Sequence, residues 1–170
     1  MNIENLHLLF LNSTGICTDT RKIVNGCLFF CLKGDNFNGN EFAQEALTKG
    51  AFKAIIDDTN FYNDSQDTIL CKDSLRLLQE LAVFHRKYLK LPIIALTGSN
   101  GKTTAKELIN AVLSQKYKTK ATIGNLNNHI GVPLTLLSMN EKTEIGIVEL
   151  GANHEKEIQF LSEIALPDYG

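Results

Sequence analysis

Leu91-Pro-Ile-Ile-Ala-Leu-Thr-Gly-Ser-Asn-Gly-Lys-Thr-Thr-Ala-Lys106 runs from an apolar segment through a turn bracketed by two glycines into a helical pattern. Ile93 to Leu96 lack alternation, as expected of a strand buried on both faces, and Ala105, Leu108, Ile109, Val112 and Leu113 then recur at helical spacing. Gly98 and Gly101 can take backbone angles closed to other residues. Successive N–H groups can therefore converge where a helix dipole favours negative charge. The stretch predicts a strand, a phosphate-binding turn and a helix. Gly98, Ser99, Asn100, Gly101, Lys102, Thr103 and Thr104 form the expected cradle for a nucleotide triphosphate, with Lys102 on the outer phosphates and the Thr103 hydroxyl on a magnesium ion. The spacing departs from the general G-x-x-x-x-G-K-S/T form, because the residue five before Gly101 is Leu96, inside the strand.

Downstream, strand and helix alternate: a helix over Lys102 to Gln115, a strand over Lys120 to Thr122, a helix from about Pro133, a strand over Glu144 to Leu150 and a helix over Glu155 to Ala165. That order predicts a parallel sheet with right-handed crossovers. By Gly170 only about three strands are accounted for, and a doubly wound domain of ~100 residues or more is expected to continue. Glu149 follows the apolar run Ile145 to Val148, which puts it at the carboxyl end of a parallel strand, where ligands collect. Its carboxylate is a hard oxygen ligand suited to magnesium. Asn125, Asn127, Asn128 and His129 cluster between Gly124 and Gly131, a pattern that serves a plain turn or a substrate loop. His154 is open to a surface, capping or metal-adjacent role.

Upstream, residues 1–90 read as a smaller unit. Ile16 to Val24 and Cys27 to Leu32 are strand-like, and Asn25-Gly26 between them predicts a tight hairpin. Glu41 to Lys49 reads as a helix with Phe42, Ala43, Ala46 and Leu47 inward and Gly50 as its left-handed cap. Ala54 to Ile56 and Thr68 to Cys71 are short strands. Asp73 or Ser74 then opens a helix to about Lys90, with Leu75, Leu78, Leu81, Ala82 and Leu89 inward. The fold class expected is α/β: a small mixed α/β N-terminal unit over 1–90, followed by the first half of a parallel-sheet phosphate-loop domain over 91–170.

Composition narrows the function classes. With 170 residues, 44% hydrophobic content and net charge −2, the chain can bury a core and carries no electrostatic bias toward nucleic acid or an anionic membrane. No apolar stretch approaches the ~20 residues needed to cross a bilayer, and the first residues lack a basic region followed by an apolar one, so a cytoplasmic protein is expected. Cys17, Cys27, Cys31 and Cys71 lack metal-site spacing and read as small buried hydrophobes.

The short form Thr97-Gly-Ser-Asn-Gly-Lys-Thr-Thr104 resembles the ATP loop of the Mur ligases. Ala121-Thr-Ile-Gly-Asn-Leu-Asn-Asn-His-Ile-Gly-Val-Pro-Leu-Thr-Leu-Leu137 and Val148-Glu-Leu-Gly-Ala-Asn-His154 are similar to the MurF type of that family. The resemblance runs from about Thr18 to Gly170. It implies an ADP-forming ligase of peptidoglycan precursor synthesis that joins D-Ala-D-Ala to UDP-MurNAc-tripeptide, using ATP and Mg2+, expected to act as a monomer. By resemblance, Lys102 and Glu149 are catalytic, Thr103, Glu149 and His154 attend the metal, and Asn127 and Asn128 lie near the reacting carboxylate. Thr18-Asp-Thr-Arg21 and Gly34-Asp-Asn-Phe-Asn-Gly-Asn40 resemble the UDP-binding segments, which implies substrate roles for Thr18, Thr20, Arg21, Asn38, Gly39 and Asn40. Asn38-Gly39-Asn40 replaces the commoner Asp-Gly-His, and Lys156 stands where many relatives have glycine. The lysine that the family carbamylates is expected beyond Gly170, so the fragment alone is expected to be inactive. A MurE-type ligase, whose glutamate strand usually continues into Ser-Ser-His, and a non-catalytic nucleotide-binding module stand as alternatives.

Overall fold

A computed structural model describes residues 1–63 and 67–170, and they form two compact units, Met1–Leu81 and Ala82–Gly170. The boundary falls earlier than the Lys90/Leu91 break expected from sequence. It lies inside helix α3 (Ser74–Leu89), because the second half of that helix is tied to the later unit. His85 Nε2 lies 3.0 Å from the Met139 carbonyl, and Arg86 donates to the Leu166 carbonyl at 3.0 Å and to Asp168 at 2.8 Å.

The first unit starts with α1 (Ile3–Leu11), for which no expectation was set. Asn2 caps it by accepting the Asn5 N–H at 3.0 Å, and Leu6, His7 and Phe10 fall on its buried face. β1 (Ile16–Cys17), β2 (Leu28–Phe30), β5 (Lys53–Ile56) and β6 (Thr68–Leu70) form a four-stranded sheet in that order, and every neighbouring pair is parallel. The hairpin expected at Asn25-Gly26 is therefore corrected to a crossover. A hairpin turn of that type needs left-handed angles at both central residues, whereas Gly26 alone has one, with φ +85°. Thr20–Lys22 form a 3-10 turn within the crossover, which lands Ile16 beside Leu28.

Two more short strands, β3 (Lys33–Gly34) and β4 (Phe37–Asn38), make an antiparallel ribbon. The chain then passes through a 3-10 turn, Gly39–Phe42, into α2 (Ala43–Thr48), so the helix expected from Glu41 begins later. Its inward face is as predicted: Ala43 and Ala46 join Cys17, Cys27, Phe29, Cys31, Ala54 and Ile56 in one core, with Phe42 and Leu47 packed against it. Each large side chain so buried stabilises the fold by ~1.5–3 kcal/mol relative to exposure. Burial pushes the Cys31 thiol up to about 12, which fits an inert apolar cysteine.

The second unit alternates as the sequence predicts: β7 (Ile93–Leu96), α4 (Lys102–Leu113), β8 (Thr119–Ala121), α5 (Gly131–Leu137), β9 (Ile145–Glu149) and α6 (Glu157–Ala165). The sheet is parallel with order β7-β9-β8. Beyond α6, Tyr169 bridges to Ile94 in parallel sense, and its carbonyl accepts the Ala95 N–H at 2.9 Å. The apolar spacing of α4 does not translate into burial: Leu108 is 63% and Val112 70% exposed. The sheet-facing position one turn after Lys102 is instead Lys106, wholly buried, whose ammonium makes no hydrogen bond and stands 3.0 Å from the Glu107 carboxylate.

Candidate functional site

Strand register sets the site. Leu96 is paired with Glu149, so the residue feeding the glycine turn and the residue ending β9 lie side by side, and the Leu150 N–H donates to the Leu96 carbonyl at 2.9 Å. Gly98 (φ +150°) and Gly101 (φ +76°) bend the chain back over the strand ends in conformations that strain any residue with a Cβ. Gly101 is the N-cap of α4, and no side chain caps that terminus. Its backbone donors are therefore left to an incoming anion. Lys102, in the first turn, folds over the loop and donates to the Gly98 carbonyl at 2.6 Å.

Glu149 is 2% exposed, and neutral groups alone hold it. One carboxylate oxygen accepts the Thr103 hydroxyl at 3.1 Å, the other accepts the Asn127 amide at 2.8 Å, and its backbone N–H donates to the Thr122 hydroxyl at 2.9 Å. No ion pair forms on it among the described residues. A buried carboxylate without a cation is costly, and a carboxylate next to a threonine hydroxyl is a hard oxygen set that suits a magnesium ion. Gly151 locks Asn127 in place: its N–H donates to the Asn127 carbonyl at 2.8 Å, and a Cβ there would overlap the Asn127 amide.

Lys102, Asn127, Asn128, His129, His154 and Glu157 line one cavity of about 630 Å³ beside this constellation. Asn128 turns its carbonyl oxygen onto the N–H groups of Ile130 and Gly131, at 3.1 and 2.9 Å, and so starts α5. His154 is on the cavity wall without a hydrogen bond to Glu149. Among the described residues no three His, Cys, Asp or Glu side chains converge as a ready-made metal cage. Glu157 accepts the N–H groups of Asn153 and His154, at 2.6 and 3.1 Å, and these bonds hold its carboxyl below the usual range. That turn closes with Lys156 in the left-handed region at φ +66°, a conformation that favours glycine.

In the first unit the expected substrate residues fall into two separately anchored segments. Asp19 caps the Thr20–Lys22 turn and takes the Arg21 guanidinium through two bonds, at 2.8 and 2.7 Å, an arrangement that holds its carboxyl far below the usual range. Arg21 is otherwise exposed, and Lys49 donates to the Thr20 carbonyl at 3.2 Å. Thr18 lies in the bend just before. Asn38 caps the Gly39–Phe42 turn, and Asn40 is completely buried against Asp57. Sequence reasoning passed over Asp57, which bonds Asn40, Lys33 and Ser74 together, and Thr122, which fixes the Glu149 backbone; it saw Ser74 only as a helix cap. The signal for Asp57 was present: an acid directly after the apolar run Ala54–Ile56, the same grammar that singled out Glu149.

Fold and site together define a parallel α/β phosphate-loop protein joined to a smaller α/β unit. A model of the Mur ligase middle domain matches residues 96–170, and a model of the Mur ligase family catalytic domain matches residues 12–86. The chain belongs to the Mur ligase family. It is 44% identical over 156 residues to the UDP-N-acetylmuramoyl-tripeptide–D-alanyl-D-alanine ligase of Bacillus subtilis, with 91% of this chain and 34% of that relative covered. With the Escherichia coli protein of the same name it shares 40% over 153 residues, covering 90% and 33%. A crystal structure of MurF from Acinetobacter baumannii superposes with TM-score 0.85 at 32% identity, over 98% of this chain and 38% of that one. The MurF ligase of Thermotoga maritima in complex with ADP gives 0.81 at 31% identity, over 94% and 36%. The chain thus spans about a third of the length of its curated relatives.

Proposed function

We propose that this chain supplies the UDP-substrate unit, about 1–90, and part of the ATP unit, about 91–170, of a MurF-type ligase that joins D-Ala-D-Ala to UDP-MurNAc-tripeptide. The observation that carries the reading is the Thr103–Glu149–Asn127 constellation, in which a buried Glu149 at the end of β9 is held by Thr103 of the first turn after the glycine loop and by Asn127. The names of the relatives, and the ADP of the Thermotoga structure, support the substrates and the nucleotide. The protein acts in the cytoplasm, as a monomer, without nucleic acid or membrane. No helix among the described residues is long and apolar enough to cross a bilayer.

The chemistry follows from charge. ATP donates its terminal phosphoryl group to the carboxylate of the tripeptide, the amine of D-Ala-D-Ala displaces phosphate from the resulting acyl phosphate, and an amide forms. Two anions must approach each other first. The backbone donors of 98–103 gather the triphosphate, and the Lys102 ammonium exchanges the Gly98 carbonyl for phosphate oxygens, offsetting the charge that opposes phosphoryl transfer. Thr103 and Glu149 would hold a magnesium ion, which supplies further neutralisation of the triphosphate when bound. Asn127 keeps the Glu149 carboxylate turned toward Thr103, and Asn128 and His154 face the cavity where the tripeptide carboxylate would arrive.

The test is a ligation assay on the complete enzyme. ADP should appear only when UDP-MurNAc-tripeptide, D-Ala-D-Ala, ATP and Mg2+ are all present. ADP formation that ignores both peptide substrates would refute the assignment.

A further inference from the structure

Asp57 directly follows the last residue of β5, much as Glu149 ends β9 in the second unit. It gathers donors from two distant segments, 33–42 and the start of α3. Lys33 Nζ lies 2.9 Å from Oδ1, the Asn40 amide donates to the same oxygen at 2.9 Å, and the Ser74 N–H and hydroxyl reach Oδ2 at 3.1 and 3.0 Å. Asn40 returns the bond, accepting the Asp57 N–H at 3.0 Å, and spends its remaining proton on Asn38 Oδ1 at 2.8 Å. The Asp57 side chain is 8% exposed and Asn40 is fully buried, so the Asp57–Asn40 bonds are shielded from water, while Lys33 closes the cluster from the solvent side.

The segment clasped in this way, Lys33 to Phe42, lines a shallow, open depression of about 500 Å³. Phe37 stacks on Phe42 with ring centroids 5.4 Å apart and remains half exposed, a flat apolar face at that wall. The rim carries Asp35, Glu41 and Asp58, and its cation among the described lining residues, Lys33, is engaged by Asp57. Such a pocket repels phosphate and accepts an uncharged planar ring bearing an N–H donor.

We propose that Asp57 is a positioning residue for substrate: through Asn40 and Lys33 it holds the 33–42 segment in the shape that receives the uracil end of the UDP-linked substrate. The inference rests on the reading of the first unit as substrate-binding. Asn40 suits the task because one amide both accepts from the Asp57 backbone and donates to its side chain, which an aspartate in its place cannot do.

The test titrates UDP-MurNAc-tripeptide into the chain and its Asp57→Ala and Asp57→Asn variants by calorimetry, well below each melting temperature, with amide hydrogen exchange on the ligand-free proteins. Loss of hydrogen bonds to a charged group predicts a Kd raised about tenfold or more in Asp57→Ala, partly restored in Asp57→Asn. Gly39 and Asn40 amide protection should fall while that of β2 and β5 persists, separating a local loss of shape from unfolding. Binding by Asp57→Ala within roughly twofold of the unchanged chain, or unchanged protection at Gly39 and Asn40, overturns this inference alone. Absence of binding by the unchanged chain overturns the substrate reading, and this inference with it.

Discussion

Asp57 and Glu149 both stand at the carboxyl ends of parallel strands in two different sheets, yet their surroundings differ in kind. Asp57 has a lysine ammonium and the amino end of α3. Burial pushes its carboxyl up, but the bonds from Lys33, Asn40 and Ser74 outweigh that and hold it below the ordinary range. Glu149 receives a hydroxyl and an amide and no charge. A strand-end acid whose charge is already matched belongs to the architecture, whereas one left unmatched in a buried setting is reserved for something that arrives. The contrast separates the two carboxylates better than their sequence context does.

The most severe way to break the comparison is to empty the loop that faces Glu149. Lys102→Ala should lower ADP formation by the complete enzyme by about 10²–10³-fold or more, while its melting temperature stays near that of the parent. Retained turnover would remove the loop from the chemistry. Next come paired charge deletions. Glu149→Gln keeps one acceptor oxygen for the Asn127 amide and turns an NH2 donor toward the Thr103 hydroxyl oxygen, so stability should largely hold while Mg2+-dependent ADP binding weakens about 10–100-fold. Asp57→Asn should do the opposite, costing about 2 kcal/mol in urea unfolding with no change in metal dependence. Equal behaviour of the two variants would erase the distinction.

Acid titration sharpens it further. Asp57 has a depressed folded pKa, so its contribution is complete above the ordinary value of 3.8 and is lost as pH falls through the folded value. His85 in the second unit is held neutral by burial, its pKa depressed below 6.5. The unfolded chain binds that proton first, and stability declines as pH drops below 6.5. Unit-resolved amide exchange should therefore show the second unit loosening at a higher pH than the first. The smallest effects concern two lysines. Lys156→Gly should gain about 1 kcal/mol by relieving its left-handed backbone. Lys106→Met should be neutral or slightly stabilising, since an ammonium without a hydrogen bond is exchanged for a thioether of similar length.

Much of the second unit was legible because its information is local. Glycines mark the turn, unbroken apolar runs mark buried strands, and Glu149 is conspicuous as the acid that ends one. The first unit hid more. Asn25-Gly26 reads as a hairpin by residue type alone, and only the pairing of Ile16 with Leu28 across a crossover shows otherwise. Asp57 gains its meaning from Asn40 and Ser74, each 17 positions away, and no spacing rule connects them. Helical periodicity in α4 likewise signals apolar faces without saying which one the sheet takes, and that face carries Lys106 while Leu108 and Val112 look outward.

The link from Tyr169 to Ala95 also bears on how molecules of this protein avoid one another. Unpaired strand rims invite neighbouring chains to add on, the first step toward ordered aggregates. Here the β7 rim is already occupied by the chain's own Tyr169. The opposite rim, β8, is only three residues long and has Lys120 at its centre, flanked by Lys118. Among the described residues, one border of these three strands is taken by the chain's own Tyr169, and the other is short and positively charged.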